Sequence, residues 1–252
     1  MRINKYVAQS SNLSRRAADE AIADGRVVVN GKIPIAGYDT KESDTVTLDG
    51  RAITPAVNII TIMLHKPVGY VVSRDGQGSK TIYALLPEQY QNLQPIGRLD
   101  KDSSGLLLLT NDGNLANELT HPSRQKTKIY EIELDKPLQP LHQQMVTDYG
   151  IQLDDGPSKF MIEKISTDLS PHHERKARAL GGEIEDVNSL HGEIEGRVPL
   201  YRITMHEGRN RQIRRTFQAL GYTVTTLHRT HFGPYALNSI KQGKIRELNG
   251  SV

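Results

Sequence analysis

The chain has 252 residues, with 32 lysines and arginines against 29 acids and a formal charge of +3. It has no cysteine, which excludes disulfides, thiolate zinc sites and cysteine nucleophiles. No stretch approaches the roughly 20 apolar residues of a membrane helix, and the start, MRINKYVAQS, has no signal-peptide core, so a cytoplasmic protein is expected. The charge is unevenly spread. Met205 to Arg246 holds eight basic residues against one acid, Glu207, and so carries +7, which leaves −4 for the rest. A concentrated basic face is the footprint of a polyanionic partner such as nucleic acid.

Residues 1–50 read as a small α/β unit. Ser14 is placed to cap a helix over RRAADEAIAD, whose Ala18, Ala21 and Ile22 share one face, and Gly25 is placed to end it. RVVVNGK predicts a strand at Val27 to Val29 and a hairpin turn at Asn30-Gly31, and TVTLDG a further strand with a turn at Asp49-Gly50. RAITPAVN, residues 51–58, reads as a linker around Pro55.

From residue 59 to the end at 252 the pattern is strand-rich. IITIMLHKPVGYVVS predicts a strand, a turn at Lys66-Pro67-Val68-Gly69 and a second strand. In GRLDKDSSGLLLLTNDG a buried leucine strand follows a charged lip, and NDG leads into a short helix. KIYEIEL alternates, with Tyr130, Ile132 and Leu134 on one face and Ile129, Glu131 and Glu133 on the other. KFMIEKI and PLYRITMH are strands, EGRNRQIRRTFQALGY a turn and a helix stopped by Gly221, and VTTLHRTHFG and IRELN close the chain. Hairpin-joined strands with isolated helices indicate an α+β chain, its larger domain built on a mixed, largely antiparallel sheet. Residues 167–197 are polar and aperiodic and read as a mobile surface insertion. The pair His172-His173 lies there without further metal ligands, and no metal site is expected.

The charged lip suggests chemistry. Asp100 immediately precedes a strand that must be buried, so its carboxylate is expected where a cavity meets the core, kept ionised by a nearby cation. Such a carboxylate serves as nucleophile or base. The basic helix offers the cation. Ile213, Phe217 and Leu220 form its apolar stripe, and at about 100° per residue Arg211 and Arg215 point away from it, as phosphate binders would. Arg214 sits at the margin, in reach of a buried acid.

Taken in order, HKPVGYVVS, PIGRLDKDSSGLLLLTNDG, KIYEIEL, EGRNRQIRRTF, LHRTHFG and GKIRELN resemble the motifs of the RsuA-type family of ribosomal-RNA pseudouridine synthases. Residues 1–50 resemble the S-four RNA-binding domain that commonly precedes them. The 167–197 insertion departs from the pattern. The resemblance implies isomerisation of uridine to pseudouridine in ribosomal RNA, with large-subunit RNA favoured by LDDGPSKF and NDGNLANELTHPS and small-subunit RNA as the alternative. It implies no cofactor and a monomer working on structured RNA, in a pre-ribosomal particle or free. Asp100 becomes the required aspartate, acting on ribose, on uracil or as a base. Arg98 is implied to hold the flipped nucleotide, Tyr130 to stack on the uracil, and Arg214 to pair with Asp100. RNA contacts are assigned to Arg209, Asn210, Arg211, Gln212, Arg215, Arg229, Lys66, Arg15 and Arg16. Three rival readings are a non-catalytic ribosome-assembly factor, a glycoside hydrolase using Asp100 and Asp102, and a tRNA synthetase relative. The hydrolase lacks the tryptophan of a sugar platform, and the synthetase lacks a nucleotide-binding signature.

Overall fold

The computed structural model describes residues 1–11, 13–55, 59–166 and 199–248. The predicted insertion at 167–197 and its histidine pair therefore lie outside the described residues. The N-terminal part packs α1 (Ile3–Ser10) and α2 (Arg15–Ala23) on a small antiparallel sheet of β1 (Val27–Val29), β2 (Val46–Leu48) and β3 (Arg51–Ala52). Ser14 caps α2 as expected, its Oγ accepting from the Ala17 N–H at 3.1 Å, and Gly25 follows the helix with φ of 70°. Ile3, Val7, Ala18, Ala21, Ile22, Val27, Val29 and Val46 close a separate hydrophobic cluster.

One turn and the start of the linker differ from their sequence reading. Asn30 and Gly31 do take the positive φ of a tight turn, but the hairpin ends after one bridge, Val29 to Lys32, and the strand partner of β1 is β2. Asp49-Gly50 makes the full hairpin, and its second arm, β3, lies in residues read as linker.

The larger sheet runs in the order β10, β11, β7, β12, β6, β4, β14, with β5 beside β6 and β13 beside β12. Its strands are β4 (Thr61–Lys66), β5 (Gln94–Ile96), β6 (Ser104–Thr110), β7 (Lys128–Leu134), β10 (Met161–Ser166), β11 (Leu200–Met205), β12 (Val224–Phe232), β13 (Tyr235–Ala236) and β14 (Ile245–Glu247). All its pairs are antiparallel except β12 with β6. The strand expected over YVVS is absent; the segment makes a single bridge, Val71 to Thr81, because it is loop backbone bonded to Lys80 and Ile82. Helices α3 (Gly113–Thr120), α4 (Pro140–Gln144) and α5 (Gln212–Ala219) flank the sheet, and β8 (Ile151–Leu153) pairs with β9 (Gly156–Ser158) in a separate hairpin.

Burial explains the leucine run. Leu106 to Leu109 are all fully enclosed, yet Leu107 and Leu109 belong to one hydrophobic cluster and Leu106 and Leu108 to another. A strand covered on both faces loses its polar alternation, and each such side chain contributes about 1.5–3 kcal/mol by leaving water. Within β6, Gly105 meets β12 so closely that a Cβ there would lie 2.2 Å from the Arg229 carbonyl oxygen. Only glycine permits that approach.

Candidate active site

Asp100 sits in the loop between β5 and β6, and the loop is held from beneath by Lys66. The Lys66 ammonium is completely buried and donates to three carbonyls, those of Pro67 (3.0 Å), Asp100 (3.0 Å) and Ser103 (2.7 Å). Burial pushes its pKa down to about 8, against the raising influence of Asp100 and Asp102. Lys66, assigned to RNA in the sequence, is therefore an internal strut, since its three donors are matched to backbone carbonyls, two of them in the loop. Leu99 anchors the same loop in the main core, and the Gly69 N–H donates to the Lys101 carbonyl at 2.7 Å. The Asp100 side chain itself stays 35% exposed.

The arginines are placed differently from the expected pairing. Arg214 does not pair with Asp100. Its Nε is 3.2 Å from Asp102 Oδ2, and its two terminal nitrogens donate to the Asp102 carbonyl (2.9 Å) and the Val224 carbonyl (2.6 Å). The ion nearest Asp100 is Arg211, 3.7 Å from Oδ2, which also grips both Asp102 oxygens at 3.0 Å. The cause is local backbone. Arg211 is the residue before α5 and takes a left-handed conformation, φ 45°, so it escapes the helical angle that predicted an outward side chain. Burial alone would raise the Asp102 carboxyl, but the Arg211 hydrogen bond and the two arginine charges hold it below the usual carboxylate range. Burial lowers Arg214 from its ordinary value, partly offset by Asp102. Asp102 is thus the clasp that ties the Asp100 loop to α5.

Other assigned cations are also engaged. Arg209 reaches the Asp155 carboxylate at 2.8 Å and the carbonyls of Asp155, Gly156 and Pro157, and Arg215 grips both Asp155 oxygens at 2.7 and 3.2 Å. The Arg215 contacts hold Asp155 low. Gln212 is buried and donates to Ser158 Oγ (3.0 Å) and to Glu207. These bonds fasten the β8–β9 hairpin to the start of α5. Arg98 and Asn210 are exposed at the cleft, and Arg15 and Arg16 are exposed on α2.

A cleft of about 910 Å³ opens above the ends of β7, β11 and β12, and Arg98, Asp100, Tyr130, Ile213 and Arg229 are among the residues that line it. Tyr130 is 8% exposed and faces the cleft from β7, beside Ile203 on β11 and Arg229 on β12. A flat ring, a carboxylate and an apolar wall in one recess suit a single base and its ribose. Lys128 and Phe232, two more lining residues, were missed in the sequence. Lys128 shares the period-two face of Tyr130, which is the signal that would have found it.

A partly exposed carboxylate and an aromatic wall in a cleft lined by lysines and arginines, behind a small α/β module, suit an enzyme that acts on a nucleotide. Residues 60–219 match the family model of RNA pseudouridylate synthase and residues 1–46 that of the S4 domain. The chain belongs to the RNA pseudouridylate synthase family and is an enzyme that converts uridine to pseudouridine. It is 33% identical to the Ribosomal large subunit pseudouridine synthase B of Bacillus subtilis over 98% of this chain and 91% of that one. It is 32% identical to the Dual-specificity RNA pseudouridine synthase RluF of Escherichia coli (strain K12), over 98% and 75%. A crystal structure of pseudouridylate synthase superposes with a TM-score of 0.62 at 27% identity, covering 99% of this chain and 96% of the other.

Proposed function

We propose that this enzyme isomerises a specific uridine in ribosomal RNA, with large-subunit RNA as the substrate. The N1–C1′ bond breaks, the base turns, and C5 bonds to C1′ while the C5 proton passes to N1, so nothing is gained or lost. Asp100 acts on the nucleotide, Tyr130 stacks on the freed uracil and Arg98 holds the nucleotide out of its helix, which costs a few kcal/mol that RNA contacts offset. Arg214 and Arg211 act through Asp102 by fixing the loop. The observation that carries this reading is the partly exposed Asp100 carboxylate at the mouth of the cleft that Tyr130 lines. The large-subunit preference is supported by the name of the Bacillus relative, a ribosomal large subunit pseudouridine synthase. The working unit in this reading is one chain on structured RNA, in the cytoplasm where ribosomes assemble, with its own segments 1–50 and 59–252 as RNA-binding and catalytic parts.

Pseudouridine mapping of ribosomal RNA from cells with and without the gene tests the target. One or more large-subunit positions should lose the modification. Asp100→Asn should bind RNA within about twofold of wild type and make no pseudouridine, because an amide neither attacks nor accepts a proton. Measurable turnover in that variant removes Asp100 from the central role, and unchanged maps in the deletion strain reject ribosomal RNA as substrate.

A further inference from the structure

The cleft contains a second feature that the reading above does not use. On the face that carries Tyr130, strands β7 and β12 set four side chains in a square. Arg229 lies across from Tyr130, and Phe232 lies across from Lys128. Along β7, Lys128 is two residues from Tyr130, about 7 Å away on the same face. Both cations lie against the same ring: Lys128 Nζ is 5.5 Å and Arg229 Cζ 4.9 Å from the Phe232 centroid.

These two charges lack compensation. Arg229 is 2% exposed, and its Nε donates to the Leu106 carbonyl at 2.8 Å. Its Nη2 is enclosed without a hydrogen-bond partner, and no carboxylate lies within ion-pair distance of the guanidinium among the described residues. Lys128 donates to the Lys126 carbonyl at 3.4 Å, a long bond. Burial lowers the Lys128 amine from its ordinary value, and the Arg229 charge lowers it further, against a raising influence from Glu207. Glu207 is itself engaged by Gln212 and Arg209. Two like charges in a half-dry recess repel, and an unpaired buried charge is costly. A neutral base edge offers only carbonyl dipoles. One anionic group between the two cations compensates both.

We propose that Lys128 and Arg229, backed by the Phe232 ring, form a subsite for an RNA phosphodiester of the strand that carries the target uridine. The proposal rests on the reading of Tyr130 as the wall against the base, and it adds a second register point one step along β7. The base is then held by stacking and the backbone by charge, which fixes the ribose between them beside Asp100.

The test uses the full-length protein and two probes, oligouridylate with phosphodiester links and oligouridylate with neutral methylphosphonate links. Lys128→Gln should weaken binding of the phosphodiester probe about tenfold, the worth of one charge-assisted hydrogen bond, and shallow its log–log salt slope by about 0.7. It should leave the methylphosphonate probe unaffected, and Lys128→Arg should restore the slope. Arg229→Lys should keep the slope while Arg229→Met lowers it. If the Arg229 variants fail to fold, the Lys128 arm decides alone. An unchanged slope in Lys128→Gln, or equal losses on both probes, overturns the subsite. Competition by inorganic phosphate at the strength of the oligomer also overturns it, by making this a free-anion site. Because binding is read without turnover, failure of wild-type protein to modify ribosomal RNA rejects the proposed substrate and not the subsite.

Discussion

Two helices of this protein carry a pair of adjacent arginines in their first turn and differ in what those arginines touch. At the start of α2, Arg15 and Arg16 are exposed and have no ion-pair partner among the described residues. Around α5, Arg209, Arg211, Arg214 and Arg215 all lie on acids, Asp155 or Asp102. The α2 arginines stand in water, available to phosphate. Those of α5 assemble the protein, clasping the Asp100 loop on one side and the β8–β9 hairpin on the other. A cluster of arginines in an RNA enzyme therefore identifies RNA contacts only after its own acids are counted.

The comparison is broken most severely at Arg214. Arg214→Ala should lower single-turnover conversion by about a hundredfold, the effect of misplacing a reacting group by about 1 Å, while RNA affinity changes by less than about threefold. Equal losses in rate and affinity would return Arg214 to the class of phosphate contacts. Arg211→Ala should follow the same pattern, against the phosphate role that its sequence position suggested.

The hairpin side of α5 gives a stability effect. Ser158 is fully buried, accepts from Gln212 at 3.0 Å and lies 2.8 Å from the Thr216 hydroxyl. Ser158→Ala should cost about 1–2 kcal/mol by leaving these groups short of a partner, measured by urea unfolding. A neutral result means that the hairpin is not fastened by this bond.

At α2 the effect moves to binding. Arg15→Gln with Arg16→Gln should shallow the salt dependence of RNA affinity by up to about two and leave saturated turnover at the wild-type value. A drop in saturated rate would place α2 in the catalytic machinery and erase the contrast.

The smallest effect is a pH slope at Lys66. Its folded pKa, about 8, lies below the ordinary lysine value of 10.5. The unfolded chain therefore holds the proton through that window while the folded protein releases it, and stability rises with pH between them. The rise is at most about 1.4 kcal/mol per pH unit for one proton. Comparing wild type with Lys66→Met by urea titration isolates it, since other groups cancel. Identical slopes would mean that the three carbonyls hold Lys66 charged.

The sequence by itself determined the long strands of the larger sheet, the caps of α2 and the place of the aspartate before the leucine strand. Period-two alternation in KIYEIEL, the Ser14 and Gly25 signals and the buried leucines after Asp100 arise from backbone geometry and local hydrogen bonding, which neighbouring residues fix. Partner choice was decided elsewhere. Asp102, rather than Asp100, meets Arg214 because one left-handed residue at Arg211 and the reach of a loop 109 residues away set which carboxylate faces α5. Lys66 reads as a surface cation until β4 and β6 close over it, and Arg229 reads as one more surface arginine until β12, lying close against Gly105, carries its guanidinium into the wall of the cleft. Charges act through space, so their partners are fixed by long-range packing, whereas periodicity is fixed along the chain.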